Sequence, residues 1–256
     1  MTYASVFRPD LFAGQTIIIT GGGTGIGRCV AHELVALGAA VALVGRRAEK
    51  LQEVADEITE DGGTASFHAC DIRDEARVAA VVAAILEKHG RIDGLVNNAG
   101  GQFVSRIRDM KLKGWEAVLR SNLTGGFIFS REVYVQWMEK HGGAIVNMTA
   151  DVEGGWPFMA HSGAARAGMI NFTQSAAAEW AHSGVRVNAV APGAIKTSGE
   201  FTYSEEEKKL NSGAYMRVLI QLRGTEAEVS AAIVFLLSSV AAFITGSVLR
   251  NDGGSL

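Results

Sequence analysis

Near its amino terminus the chain reads Thr20-Gly21-Gly22-Gly23-Thr24-Gly25-Ile26-Gly27, between the β-branched run Thr16–Thr20 and the helical pattern Ile26–Leu37. Glycines allow a tight turn, and the helix that follows offers unpaired backbone N–H groups to a pyrophosphate. A glycine-rich loop alone often marks only a turn, but its place between a strand and a helix is typical of a dinucleotide site. The residues predicted to bind the cofactor here are Gly21, Thr24, Gly25, Ile26 and Gly27.

The same alternation of strand and helix continues along the whole chain. Further strands are predicted at Ala40–Val44, Ala65–Ala69, Gly94–Asn97, Ala144–Thr149, Val185–Ala191 and Ser247–Arg250. Further helices are predicted at Ala48–Glu60, Glu75–His89, Trp115–Glu139, Gly163–Ala181 and Glu226–Leu237. Alternation of this kind produces right-handed crossovers and a parallel sheet covered on both faces. We therefore predict one α/β domain over residues 1–256, a Rossmann-like, doubly wound fold with a seven-stranded parallel sheet.

Composition excludes several classes of protein. The chain has 24 Lys and Arg against 27 Asp and Glu, a net charge of -3, so it lacks the basic field of a nucleic-acid binder. The longest apolar stretch, Ala231–Ile244, is interrupted by two serines and is too short to span a bilayer. Cys29 and Cys70 lie far apart without a CxxC spacing, which predicts neither a disulfide nor a metal site. We expect a protein with no nucleic-acid partner, membrane span or metal.

The ends of the chain bear on its location. Residues Met1–Gly14 show no signal-peptide pattern, and Gly254-Ser255-Leu256 does not match a Ser-Lys-Leu peroxisomal address. The two unpaired cysteines fit a reducing compartment. These features lead us to expect a cytoplasmic protein.

The second strand ends at Val44-Gly45-Arg46-Arg47. An enzyme that uses NAD places a carboxylate here for the adenosine ribose hydroxyls, whereas guanidinium groups suit a 2′-phosphate. The alternative is that Arg46 and Arg47 merely begin the next helix in solvent. Because no acidic residue precedes Glu49 in this turn, we predict NADP(H), with Arg28 as a third positive group nearby.

The stretch from Thr197 to Leu222 differs from the rest of the chain. It contains Glu205-Glu206-Glu207-Lys208-Lys209, and its apolar residues are scattered. A charge run of this kind is usually a solvated surface segment. The stretch also follows the sixth strand, at the edge where open α/β sheets bind ligands. We predict a substrate lid around residues 197–222.

Further motifs cover the chain from Thr20 to Gly254, and together they resemble the short-chain dehydrogenase/reductase family. They are the Thr20–Gly27 loop, Asp71, Asn97-Asn98-Ala99-Gly100, Ser121-Asn122-Leu123-Thr124-Gly125, Pro192-Gly193-Ala194-Ile195-Lys196-Thr197 and Asp252-Gly253-Gly254. The resemblance implies that Asp71, with Ile72 beside it, holds the adenine. It implies also that Asn98, Ala99 and Gly100 brace the sheet beside the cofactor. By the same resemblance, the nicotinamide carboxamide is contacted by Pro192, Gly193, Ile195 and Thr197.

The catalytic segment departs from the family pattern. Most members carry a serine after the fifth strand and Tyr-x-x-x-Lys on the next helix, but this chain has Ser162-Gly163-Ala164-Ala165-Arg166. Ser162 stands in place of the tyrosine and Arg166 in place of the lysine, while Asn122 is kept. A serine hydroxyl is a poorer proton donor than a phenol, and an arginine holds its proton. We predict that Arg166 fixes the nicotinamide ribose and that Ser162 donates a hydrogen bond to the substrate oxygen.

Conjugate reduction of an enoyl thioester suits such a site, because the developing enolate needs fixed hydrogen-bond donors. Three segments resemble the peroxisomal trans-2-enoyl-CoA reductases: Asn97-Asn98-Ala99-Gly100-Gly101-Gln102-Phe103, His161–Gly168 and Glu179-Trp180-Ala181. The segment Ile195–Phe201 is similar to the 2,4-dienoyl-CoA reductases. This resemblance implies an unsaturated acyl-CoA substrate. Tyr203 and Tyr215 in the lid are further candidate donors. Asp151 and His161 are the candidates for a relocated base, with the alternative that the His161 ring nitrogen serves only the start of its helix.

Two other functions stay open from the sequence. One is an alcohol dehydrogenase or carbonyl reductase for a non-CoA substrate, with a relocated acid or base. The other is a cofactor-binding protein without turnover, because the usual tyrosine and lysine are missing. In the family, the Asn122 helix and the Ser162–Ala181 helix pair with copies of themselves. We therefore expect a homo-oligomer, a dimer or a tetramer.

Overall fold

The computed structural model describes residues 9–197 and 218–254. The strands are β1 Thr16–Thr20, β2 Ala40–Gly45, β3 Thr64–Ala69, β4 Gly94–Asn97, β5 Gly143–Met148, β6 Val185–Pro192 and β7 Val248–Asn251. The helices are α1 Gly25–Ala36, α2 Ala48–Glu60, α3 Glu75–His89, α4 Leu112–Leu119, α5 Gly125–Val133, α6 Glu139–His141, α7 Ala160–Trp180 and α8 Glu226–Leu237. Every predicted strand is confirmed, with ends that differ by at most one residue. Most of the proposed lid, including Tyr203 and Tyr215, lies outside the described residues.

The seven strands form one parallel sheet in the order β3-β2-β1-β4-β5-β6-β7, which confirms the predicted fold class. β1 pairs with β2 on one side and with β4 on the other, so the winding direction of the chain reverses between β1 and β4. In doubly wound sheets ligands bind at this switch point, beyond the carboxyl ends of the strands. The glycine-rich loop leaves β1 at that edge.

Two apolar layers cover the sheet because consecutive strand residues point to opposite faces. Ile17 and Ile19 of β1 pack with α1, α2 and α8, whereas Ile18 packs with α3, α5 and α7. All three side chains are buried. Helices therefore cover both faces, as the apolar strands predicted. None of the described helices is both long and apolar enough to cross a membrane.

The helical region between β4 and β5 differs from the prediction. One helix was predicted over Trp115–Glu139, but the structure has α4, α5 and α6, joined by π-helical turns at Arg120–Thr124 and Tyr134–Met138. Each π turn widens the helix by one residue without a proline, so a period-based pattern does not reveal it. The first of these turns carries Asn122, which is buried.

Candidate active site

A cleft of about 490 Å³ lies at the carboxyl ends of β1 and β4. Of the residues predicted to bind the cofactor, those that line it are Gly21, Thr24, Gly25, Ile26, Arg46, Arg47, Asp71, Ile72, Asn98, Ala99, Gly100 and Thr197. Gly27 and Arg166 lie next to lining residues, against Gly21 and Gly100. Pro192, Gly193 and Ile195 are outside the lining, and their contact with the nicotinamide stays a prediction.

The glycine-rich loop has the shape of a phosphate cradle. Gly21 and Gly25 have φ values of 69° and 60°, a region that favours glycine. A Cβ on Gly21 would lie 2.8 Å from Asn98 Nδ2, so the loop and the end of β4 pack too closely for a side chain. Thr24 precedes α1 without making a side-chain cap, which leaves the first N–H groups of α1 available to an anion.

Thr20 and Asn98 hold this loop against β4. The Thr20 hydroxyl accepts from the N–H groups of Asn98 and Ala99, both at 3.0 Å, and donates to the Val96 carbonyl at 3.1 Å. Asn98 Nδ2 donates to the carbonyls of Thr20 and Gly21 at 3.0 and 3.3 Å. These bonds tie β1 to β4 across the switch point, the bracing that the family resemblance implied for Asn98.

One end of the cleft, at the carboxyl end of β2 and the start of α2, is cationic. We call it the adenosine end, because the adenosine of the cofactor is predicted to bind there. Arg46 and Arg47 are exposed and line it. Lys50 at the start of α2 lines it too, with its ammonium paired to Glu53 at 2.7 Å. Arg28 does not take part: it forms an ion pair with Glu57 at 2.8 Å instead. Asp71 is the one acidic residue among the described lining residues. This charge distribution suits a phosphate on the adenosine ribose.

The negative charge of Asp71 is balanced by an ion pair with Arg73. Arg73 Nε donates to Asp71 Oδ1 at 2.9 Å, and Nη2 donates to Oδ2 at 2.6 Å, a two-pronged ion pair. These hydrogen bonds lower the pKa of Asp71 to about 2, with a smaller contribution from the charge of Arg46. The carboxylate is thus held in one orientation at the adenine end and stays ionised at neutral pH.

The three predicted catalytic residues lie together in the interior. Asn122, Ser162 and Arg166 are 2%, 0% and 8% exposed, and Asn122 Nδ2 is 3.5 Å from Ser162 Oγ. Asn122 Oδ1 accepts from Gly101 N at 2.9 Å, which attaches the loop after β4 to the π turn. The fold therefore brings two distant helices and the β4 loop to one point.

Gln102 connects this buried group to the cleft. Ser162 Oγ donates to Gln102 Oε1 at 2.9 Å, and Gln102 lines the cleft whereas Ser162 does not. A hydroxyl has one proton, so the Ser162 proton is engaged by Gln102 rather than by a group in the cleft. The bond fixes the orientation of the Gln102 carboxamide, whose Nε2–H groups then remain as donors.

Arg166 is buried beside the loop after β4. Its Nη1 donates to the carbonyl of Met148, the last residue of β5. A Cβ on Gly100 would lie 2.9 Å from Arg166 Nη2 and 2.7 Å from Asn122 Oδ1, so only glycine fits between them. Burial lowers the pKa of Arg166 to about 10, which still leaves the guanidinium charged at neutral pH. A fixed positive charge thus lies next to Gly100, which lines the cleft.

Asp151 lies in a network of ion pairs. Arg250 Nη2 is 3.5 Å from Asp151 and 2.7 Å from Asp252, and Arg250 Nη1 is 3.5 Å from Glu153. Asp151 does not line the cleft. To act as the base in alcohol oxidation, the Asp151 carboxylate would first have to break its ion pair with Arg250.

The glycine-rich loop, the cationic adenosine end and the buried guanidinium of Arg166 fit a nicotinamide adenine dinucleotide phosphate. Sequence reasoning missed Lys50, Arg73 and Gln102. Lys50 could have been found from its place in the first turn of α2, directly after Arg46 and Arg47. Gln102 lies within the motif that ends at Phe103, but nothing in the local sequence connects it to Ser162.

Comparison with known proteins places this arrangement in context. A family model described as Enoyl-(Acyl carrier protein) reductase matches residues 21–255. A peroxisomal 2,4-dienoyl-CoA reductase of Danio rerio is 34% identical over 255 residues, which cover 99% of this chain and 85% of the relative.

Two solved structures share the fold over nearly the full length. The citronellol catabolism dehydrogenase of Pseudomonas aeruginosa PAO1 is 58% identical, with a TM-score of 0.86 and coverage of 98% of each chain. A short-chain type dehydrogenase/reductase of Mycobacterium marinum is 29% identical, with a TM-score of 0.90, and the match covers 97% of this chain and 98% of that one.

Proposed function

This chain belongs to the short-chain dehydrogenase/reductase family, whose members are oxidoreductases that bind a nicotinamide cofactor. We propose that it uses NADPH to reduce a C=C bond conjugated to an acyl-CoA thioester. The proposed substrate is an enoyl-CoA or a dienoyl-CoA. The observation that carries the proposal is the hydrogen bond from Ser162 to Gln102, which presents an oriented carboxamide at the cleft and no tunable acid.

The chemistry follows from what these side chains can do. Neither a serine hydroxyl nor a guanidinium exchanges a proton readily near neutral pH. An alcohol must lose its hydroxyl proton to a base when it is oxidised. Ser162, which stands in place of the family's tyrosine, is not such a base. When the hydride adds to the conjugated chain, the thioester oxygen gains negative charge that hydrogen-bond donors stabilise. The proton that completes the reduction is then taken up by carbon from water, so the donor at the oxygen need not give up its own proton. The side chains present are therefore better matched to the second reaction.

Each residue then has a distinct role. The reduced nicotinamide, when bound, supplies the hydride. Gln102 Nε2 donates to the thioester oxygen, and buried Ser162 orients Gln102 through their hydrogen bond, which modifies the direct role first predicted for Ser162. Arg166 fixes the nicotinamide ribose and adds positive charge to the site, and Asn122 holds the loop at Gly101.

The preference for NADP(H) rests on the charge of the adenosine end. Arg46, Arg47 and Lys50 line it, and the nearby carboxylate of Asp71 is already bound by Arg73. A ribose 2′-hydroxyl would find no free carboxylate to accept its proton there among the described residues. A 2′-phosphate would find cations.

A second candidate is supported by the 58% identity to citronellol catabolism dehydrogenase, the highest among the proteins compared above. Under this alternative the chain oxidises a branched alcohol. The proton goes to Asp151 once it is released from Arg250, or to His161 once its Nδ1 is released from the Ser162 N–H.

A substrate panel separates the two. We expect NADPH oxidation with 2,4-hexadienoyl-CoA or crotonyl-CoA to be at least about tenfold faster than NADP+ reduction with citronellol or simple secondary alcohols. Gln102→Leu and Ser162→Ala should each lower kcat, by a factor of up to about 100 for the direct donor. Gln102→Asn is the matched control, because it keeps the carboxamide. Citronellol oxidation without thioester reduction would establish the second candidate, and NADPH binding with no turnover of either would exclude both.

A further inference from the structure

His161 is a buried histidine with only one of its ring nitrogens in a hydrogen bond. It is 0% exposed and comes directly before Ser162 on the first turn of α7. Its Nδ1 is 2.7 Å from the backbone nitrogen of Ser162. Its Nε2 is buried and has no hydrogen-bond partner among the described residues.

The first contact determines which nitrogen carries the proton. A backbone N–H can only donate, so Nδ1 must accept and carries no hydrogen. The neutral ring then has its hydrogen on Nε2. The His161 ring meets the Phe103 ring edge to face, with centroids 4.3 Å apart and an angle of 85° between the planes. Contact with an aromatic ring is weak compensation for a buried N–H.

The position on the helix gives the Nδ1 contact its importance. The first four N–H groups of a helix have no partner within the helix, and the residue before α7, Met159, makes no side-chain cap. His161 satisfies one of these groups from inside the first turn, at the residue that orients Gln102. Its ring also contacts Phe103, the neighbour of Gln102.

We propose that His161 is a positioning residue that holds Ser162 and the Gln102–Phe103 segment together only while its ring is neutral. Protonation would place a hydrogen on Nδ1, so two donors would face each other at 2.7 Å. The ring would have to turn, which would release the Ser162 N–H and move away from Phe103. This inference rests on the proposed function, because it concerns the same Ser162–Gln102 pair.

The surroundings do not favour a charged ring. Loop residues 101–105 contain no titratable side chain, and Asp151 and Glu153 of the loop before α7 are paired with Arg250. Lys113 and Glu116 of α4 are exposed, and Arg166 follows more than one turn along α7. Burial lowers the pKa of His161, and the nearby backbone groups of Met159 and Phe103 offset this only in part.

Two substitutions test the role. In His161→Asn the side-chain oxygen still accepts from Ser162 N–H but does not titrate, whereas His161→Leu removes the acceptor. We expect kcat of the wild type to fall on the acid side of neutrality. His161→Asn should keep kcat within about threefold at pH 7 and lose that acid limb. His161→Leu leaves the buried Ser162 N–H without its acceptor and frees Ser162 to move, so kcat should fall by about tenfold, with an unchanged Kd for NADPH. The same acid limb in His161→Asn would overturn the inference.

A measurement without turnover completes the test. Nitrogen NMR of the histidine-labelled protein at pH 7 should show a neutral ring with its hydrogen on Nε2. A hydrogen on Nδ1 or a charged ring would refute the inference, even if thioesters are reduced. The expected ring form together with no thioester reduction would instead refute only the proposed function. This spectrum also decides the question if His161→Leu fails to fold.

Discussion

The adenosine end and the catalytic end of the cleft differ in how their charged groups are held. Arg46 and Arg47 are exposed at the start of α2, and each is placed by its own stretch of backbone. At the other end Ser162 and Arg166 are buried, and their partners Gln102 and Met148 come from other elements. A change in an exposed cation should therefore leave the rest of the fold undisturbed, whereas a change in one buried residue should disturb its neighbours.

The largest effect is expected at the exposed end. Each charge-assisted contact to a 2′-phosphate is worth about 1.5–3 kcal/mol, so Arg46→Ala with Arg47→Ala should raise the Kd for NADPH by a factor of about 100 or more. The Kd for NADH, which has no 2′-phosphate, should change little. Fluorescence titration of both cofactors measures this.

Arg28→Ala is the matched control, because Arg28 directly follows the glycine-rich loop in sequence but pairs with Glu57 and does not line the cleft. Its Kd for NADPH should match that of the wild type. Equal or tighter binding of NADH by the wild type would show that the cofactor assignment is wrong.

At the buried end, Arg166→Met should lower kcat/KM by about 10- to 100-fold and weaken NADPH binding. The substitution removes a buried charge and leaves the Met148 carbonyl without its donor, a loss of about 1.5–3 kcal/mol. The melting temperature should fall as well, unlike that of the Arg46 and Arg47 variants. Steady-state kinetics and thermal unfolding on the same samples test the contrast.

Arg166→Lys is the control at this position, since it keeps the charge and a donor on a side chain of similar length. It should retain more cofactor affinity than Arg166→Met. Equal losses in the two variants would mean that the charge of Arg166 does not contribute to cofactor binding.

The smallest effect concerns the Asp71–Arg73 pair. The pKa of Asp71 is about 2 in the fold, below the ordinary aspartate value of 3.8 that applies to the unfolded chain. A lowered carboxyl pKa stabilises the fold above pH 3.8, and the stabilisation disappears as the pH falls towards 2. Both side chains are about a third exposed, so solvent screens the pair and Arg73→Gln should cost well below 1 kcal/mol at pH 7.

Urea unfolding at pH 7 and at the lowest pH where the fold persists tests this small contribution. The difference between Arg73→Gln and the wild type should shrink on acidification. A difference that grows instead would show that Arg73 stabilises the protein through contacts other than Asp71.

The two ends differ also in what could be predicted. Arg46 and Arg47 follow a strand that its own apolar residues identify, so their place beside the glycine-rich loop was predictable from local order. Arg28 directly follows the glycine-rich loop in sequence, yet its side chain pairs with Glu57 on another helix. The local sequence determines where the backbone of such a residue lies. The partner of its long side chain depends on which helix packs beside it.

By itself the sequence determined the order of strands and helices, the parallel sheet and the cationic adenosine end. Periodicity and turn residues act over a few positions, so these features follow from neighbours in the chain. The tertiary structure alone decided that Gln102 accepts a hydrogen bond from Ser162, 60 residues away, and that a π turn carries Asn122 beside them. Such hydrogen bonds form only after β4, β5 and α7 have packed, because packing brings their loops within reach and excludes water from the groups they join.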